Sequence, residues 1–160
     1  MAKRRKRTSK NVPAKGRLRD MADRLWSITV RTDWNWKCAV CQASRCEAHH
    51  LIPRENEATR FDLQNGIALC SSHHRFCPQV SPHQNAGGWM RWLEHHQPLR
   101  FEWYVETIAN GQHLKFDGIK NAPYYCDVIR SFQQYVEPET FIEIVTVQFS
   151  TYLIECEKPG

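Results

Sequence analysis

The sequence predicts an α+β domain: a small β-hairpin followed by a helix, stitched by a structural zinc knuckle, with flanking helices and a C-terminal α/β extension. Three observations lead there. Four cysteines and four histidines crowd into the 38 residues "CAVCQASRCEAHHLIPRENEATRFDLQNGIALCSSHHR". Within that stretch the short segments "CEAHHL" and "IALC" read as strands on either side of a turn-forming "DLQNG". Outside it, apolar residues recur mostly at helical spacing.

The elements follow in order. Residues 1–15 lack apolar periodicity and contain Pro13, so they form a flexible arm. Leu18, Met21, Ala22 and Leu25, with Trp26 adjoining, predict a helix over 17–30, broken by "RTDWNWK". The Cys/His region comes next, its "SSHHRF" reading as the start of a helix. Ser81-Pro82 has the form of a helix start, although Gly87-Gly88 delays a firm helix to about Trp89. Pro98 can open another helix carrying Phe101, Tyr104, Val105 and Ile108, the preferred reading, while alternation of Leu99, Phe101, Trp103 and Val105 also permits a strand turning at Asn110-Gly111. "PYYCDVIRSFQQYV" is helical, and the β-branched, aromatic "TFIEIVTVQFSTYLI" reads as a strand, with a buried helix as the alternative. Tryptophans 89, 92 and 103 are core residues on this reading. The organisation expected is an arm over 1–15, a functional domain over 16–98 and an extension over 99–160.

A chain of 160 residues carries one modest domain with tails. Six Trp, seven Phe and five Tyr argue against general disorder. No apolar run of about 18 residues exists to span a membrane. The basic start "MAKRRKRTSK" lacks the apolar stretch of a secretory signal, which predicts a cytoplasmic protein. Seven cysteines, an odd number set beside histidines, read as metal ligands in a reducing compartment rather than as a disulfide framework.

Charge is unevenly placed. Residues 1–19 hold nine Lys or Arg and no acid, and the remainder is net negative, so the net charge of +5 comes from the tail. Lys3, Arg4, Arg5, Lys6 and Arg7 form either a solvated arm or a phosphate-seeking one that gains affinity by releasing counterions from nucleic acid.

Cys38-x2-Cys41 puts two thiolates on one tight turn, and Cys70-x2-His73 repeats the gap. A Cys3His set fills all four positions of a tetrahedral ion, the mark of a structural Zn²⁺. Cys46 and Cys77 compete for a place in that shell. Once those ligands are set aside, His49, His50, Asn65 and His74 remain. If Cys70 and His73 face the zinc, His74 lies about 100° further round the helix axis. It then points back toward the hairpin and His49. Adjacent strand residues face opposite ways, so His49 and His50 serve one site only where the pleat breaks, near Pro53.

The doublet His49-His50, Asn65 fifteen residues later and His74 nine beyond that resemble the HNH (ββα-metal) endonuclease family, with the cysteine pairs of its zinc-stabilised branch. More locally, "HHLIPRENEATRFDLQN" followed by "C..HHRF" resembles phage recombination nucleases of the NinG type. The resemblance covers about 17–97. It implies a ββα-metal core and hydrolysis of DNA phosphodiester bonds, in phage or prophage recombination or DNA processing, within the host cytoplasm. It also implies roles. His49 and His74 hold one divalent cation, His50 is the general base, and Asn65 holds the hairpin and orients His50. Many members of the family carry a further metal-binding histidine four residues after the helix histidine. Here that position is Pro78, so the site has two histidines, or recruits His83 or an acid. Mg²⁺, Mn²⁺, Ni²⁺ and Zn²⁺ all suit such chemistry, imidazole favouring the softer ions. Arg54, Arg60 and Arg75 surround the motif and suit flanking phosphates, or are ion-paired surface residues. Two other readings are a non-catalytic zinc-knuckle DNA-binding module on a degenerate HNH fold, which Pro78 favours, and a secreted HNH toxin, which the missing export signal disfavours.

Overall fold

The computed structural model describes residues 15–145. The chain divides into two compact units, one over Asp23–Gly118 and the other combining Met1–Ala22 with Ile119–Gly160. The basic residues Lys3, Arg4, Arg5, Lys6 and Arg7 lie outside the described residues.

Helix α1 spans Lys15–Asp33. Leu18, Ala22, Leu25, Trp26, Thr29 and Val30 fall on one face at three- and four-residue spacing, and all are buried. The helix closes where Asn35 and Trp36 adopt left-handed backbone (φ 52° and 58°), which lets the Trp36 amide reach the Arg31 carbonyl at 2.7 Å.

Strands β1 (Glu47–His50) and β2 (Gly66–Leu69) pair antiparallel, with Glu47 opposite Leu69 and His50 opposite Gly66. Two four-residue strands are marginal by themselves. β2 is therefore buried along its whole length, and Ile67 and Leu69 join Cys38, Cys70, Trp89 and Leu93 in one apolar cluster. The loop between the strands is tied by Asn65, which is fully buried. Its Oδ1 accepts from the Ile52 amide, and its Nδ2 donates to the carbonyls of Ile52 and Thr59.

The helix expected at "SSHHRF" is a single wide turn, Ser72–Phe76, closed by the Cys77 amide on the Ser72 carbonyl at 2.8 Å. Pro78 explains why it stops. A residue before proline is pushed out of helical backbone, and Cys77 is extended. The helix with a start-like Ser81-Pro82 and a firm beginning expected near Trp89 is α2 (Ala86–His96), where Asn85 caps by accepting from the Gly88 amide. Ser81 instead anchors a turn.

Helix α3 (Pro98–Ala109) has proline in its first turn, as expected. Its Arg100 guanidinium donates to the carbonyls of Leu63, Gln64 and Gly66, at the entry to β2. That clamp ties α3 to the hairpin within the compact unit Asp23–Gly118.

In the other unit, α4 (Ala122–Ser131) is capped by Asn121 and buries Tyr125, Cys126 and Ile129. The segment expected to be a strand from Thr140 differs. Residues 140–144 lie in helix α5 (Pro138–Ile144), with Phe141 and Ile144 buried, and residues from 146 onward fall outside the described ones. Proline in the first turn and burial at three-residue spacing outweigh the β-branched composition there. Among the described residues no helix is long and apolar enough to cross a membrane.

Gly66 sits where α1 crosses the hairpin. A Cβ there would collide with the Val30 side chain and lie 3.0 Å from Trp26 Cζ2. We expect Gly66→Ala to cost about 1–3 kcal/mol through overpacking, read as a lower urea midpoint with an unchanged slope.

Candidate metal and catalytic site

Two clusters of ligand atoms meet at the turn Ser72–Phe76. The first is Cys38, Cys41, Cys70 and His73, whose ligand atoms all lie within 4.8 Å of one another. Cys41 Sγ is 3.8 Å from Cys70 Sγ. His73 Nδ1 is 3.3 Å from Cys70 Sγ and 3.8 Å from Cys38 Sγ. A tetrahedral Zn²⁺ with bonds of about 2.3 Å to sulfur and about 2.0–2.1 Å to nitrogen sets its ligands roughly 3.5–3.8 Å apart, close to these separations. The four side chains therefore fit one such ion. Burial raises the Cys38 thiol, but hydrogen bonds from the backbone at Cys70, Cys41 and Val40 outweigh it and lower the pKa. The Cys41 thiol moves up, through desolvation and then through its Cys38 and Cys70 neighbours, a crowding of thiolates that a divalent cation relieves. Cys46 and Cys77 stand outside this group, and Cys77 donates to Gln79.

The second cluster is His49, His74 and His83. His49 Nδ1 and His74 Nε2 are 3.1 Å apart. Coordination at about 2.0–2.2 Å separates neighbouring ligand atoms by roughly 2.8–3.1 Å in an octahedron and roughly 3.3–3.6 Å in a tetrahedron, so these two nitrogens can share a cation. The tautomer of His74 follows from its other nitrogen. Nδ1–H donates to Glu47 Oε2 at 3.0 Å, which leaves the Nε2 lone pair facing His49. Glu47 is steadied in turn by Arg75 Nη2 at 2.8 Å. Burial, followed by the neighbouring His74, His83 and His50, pushes the His49 pKa down to about 3. Burial also lowers His74, against the pull of Glu47. Neutral imidazoles are the ligating form.

Pro78 removes the helical position for a third ligand, and Ser81 provides the alternative. This fully buried hydroxyl donates to the His74 carbonyl at 2.9 Å and accepts from the His83 and Gln84 amides. It thereby folds the chain after Pro78 back so that the His83 ring lies 5.0 Å from that of His74.

His50 is the last residue of β1. It turns to the face away from His74, yet it lines the same cavity as His49 and His83. Its ring stacks on Trp26, with centroids 3.7 Å apart and planes within 11°. Nε2–H donates to the Arg60 carbonyl at 2.9 Å, so Nδ1 carries the free lone pair. Burial lowers its pKa, keeping the ring neutral. Asn65 makes its hydrogen bonds with Ile52 and Thr59 and none with His50. The side chain expected to orient His50 therefore acts on the loop, and the ring is oriented by Trp26 and the Arg60 carbonyl.

Arg60, expected on DNA, is not available for it. Its guanidinium is buried in a bidentate pair with Asp23 (2.8 and 2.6 Å) and also donates to the Arg54 carbonyl. Arg54 and Arg75 are exposed. Glu47, Ser81, Asp23 and Trp26 went unmarked in the sequence as site residues. Glu47 alone left a trace, two residues before His49 and so on the same face of β1.

Cys38→Ser is expected to remove one zinc equivalent by elemental analysis and to unfold the hairpin region by circular dichroism. Glu47→Gln should keep the fold and that zinc while weakening Ni²⁺ or Mn²⁺ binding at the three-histidine cluster by about 10–100-fold, measured by calorimetry.

Residues 38–76 match the HNH endonuclease family (HNH_2). Comparison with curated proteins and with solved structures finds no match. A hairpin and turn that bring histidines together beside a four-ligand knuckle agree with that match: over this segment the chain is similar to the HNH endonuclease family, and its α+β fold is of the ββα-metal type.

Proposed function

We propose that this protein is a metal-dependent HNH endonuclease that hydrolyses DNA phosphodiester bonds. The observation that carries the reading is the division of labour between neighbouring histidines. His49 shares its cluster with His74 and His83, while His50 is held apart from it with a free Nδ1. The resemblance to NinG-type phage nucleases extends the reading to recombination or DNA processing.

His49, His74 and His83 would hold the catalytic cation, and when bound it supplies charge to the phosphate and the leaving oxygen. His50 takes the proton of the attacking water at Nδ1. Its ring is already oriented, because Nε2 is committed to the Arg60 carbonyl and one face is covered by Trp26. Arg60 is itself fixed by Asp23, so one turn of α1 supports the base twice. Cys38, Cys41, Cys70 and His73 would hold a structural Zn²⁺, and Mg²⁺, Mn²⁺, Ni²⁺ or Zn²⁺ the catalytic position. The basic arm with Lys3, Arg4, Arg5, Lys6 and Arg7, together with Arg54 and Arg75, would bind phosphates along the strand.

Pro78 favours the rival reading of a DNA-binding module that no longer cleaves. His83, brought to the cluster by Ser81, weakens that rival by restoring a third imidazole.

Incubation with supercoiled plasmid and each divalent cation in turn separates the two readings. We expect nicking that falls by about 10²–10⁴-fold in His50→Ala, with zinc content unchanged, and that survives in His95→Ala. Equal activity in both variants would remove His50 from the mechanism. Deleting residues 1–16 should flatten the dependence of log K on log[salt] by about 0.9 for each phosphate the arm would otherwise neutralise, as measured by fluorescence anisotropy.

A further inference from the structure

A cavity of about 260 Å³ opens beside the catalytic histidines, with His49, His50 and His83 on one side. Its other walls are Leu51, Pro82, Trp89, Met90, Leu93 and Tyr104. No Lys, Arg, Asp or Glu is among the described residues that line it. The volume falls below the roughly 300–1,000 Å³ of drug-sized sites, so it suits one ring system rather than a length of oligonucleotide. Away from the three histidines, the lining offers a phosphate no cationic side chain. It does suit the flat, weakly polar face of a nucleobase, which gains from aromatic and thioether contact. The walls come from three places: the end of β1 with the loop after it, α2 with the residues before it, and Tyr104 of α3. The cavity is thus built by helices that follow the HNH segment, yet it opens at the metal cluster.

We infer that this cavity is a nucleobase subsite, receiving one base displaced from the stack next to the scissile phosphate. The inference rests on the nuclease reading above and adds a substrate class to it. A base can enter only after leaving its stack and its pairing partner, and that is least costly at a mismatch, an unpaired nucleotide or a branch. The preferred substrate is therefore DNA in which one nucleotide is already unpaired, with the cut placed beside it. Tyr104, half-buried, and Ala86, exposed at the start of α2, are the lining residues that can be changed without cutting into the buried core. Ala86→Trp would fill the cavity from its rim.

The test compares otherwise identical duplexes with and without one central mismatch. The wild-type protein should cut the mismatched duplex at least tenfold faster, within a nucleotide or two of the mismatch. In Ala86→Trp and Tyr104→Ala the two rates should converge to within about twofold, while circular dichroism and zinc content stay unchanged. Equal rates on both duplexes in the wild type would overturn the subsite. A preference that persists undiminished in both variants would do the same, since backbone flexibility alone would then explain it. A second readout needs no cleavage. His50→Ala protein added to a duplex with 2-aminopurine at the mismatch should change the fluorescence on binding, as the base leaves its stack. The change should be absent in the His50→Ala, Ala86→Trp double variant. If no cation supports cleavage by the wild type but this fluorescence change appears and disappears as stated, the nuclease reading fails and the subsite stands, on a DNA-binding module. If the protein cleaves DNA and the fluorescence does not change, the subsite fails and the nuclease reading stands.

Discussion

Two adjacent histidines on one turn, His73 and His74, point into two different ligand clusters, and the rest of the site depends on that divergence. The turn Ser72–Phe76 is five residues long and buries none of them, so packing does little to fix its rotation. What fixes it is the four-ligand cluster. Once Cys70 and His73 are drawn toward Cys38 and Cys41, rotation about the turn axis leaves His74 facing His49. A structural ion held by these four side chains would therefore also be a positioning device, setting the geometry of a second cluster it does not touch. The buried run of β2 leads into this turn, so hairpin register and ligand placement are coupled.

The hairpin alone could not hold this arrangement. Its loop of some fifteen residues is kept in shape by Asn65, a buried amide whose three hydrogen bonds span both ends of the loop. Truncating such a group would leave several backbone partners unsatisfied, which explains its value without any direct part in chemistry. From outside the HNH segment, α1 brings Trp26 and Asp23, and α3 brings Arg100. Each acts on backbone or ring orientation near the hairpin. The chemistry-bearing segment is short, and the surrounding helices make it rigid.

Burial shapes the electrostatics in one direction. His49, His50 and His74 all titrate below the ordinary range, because desolvation disfavours the imidazolium. The same environment keeps the imidazoles neutral, with lone pairs available to a cation. Arginine is distributed by the same logic. Arg60 is buried in a pair with Asp23 that neutralises it, whereas Arg54 and Arg75 stay exposed, beside Glu55 and Glu47.

The sequence by itself determined the ligand types and their grouping: two paired gaps for the knuckle, and a histidine doublet, Asn65 and His74 at intervals that resemble one family. These are local in the chain, and a hairpin converts sequence intervals directly into spatial ones. It also marked α1, α3 and α4, where apolar spacing, joined in α3 and α4 by a first-turn proline, is a strong local signal. Tertiary structure decided the rest. Glu47 and Arg75 are 28 residues apart, Asp23 and Arg60 are 37, and no pattern of composition announces such partners. Ser81 looked like a helix cap because its local sequence fits one, yet its hydroxyl serves a turn that brings His83 to His74. Arg60 looked free for DNA because a guanidinium's fate depends on whether a carboxylate meets it in space. Helix α5 replaced an expected strand because a β-branched apolar run is compatible with either state, and long-range packing, invisible in a local window, selects between them.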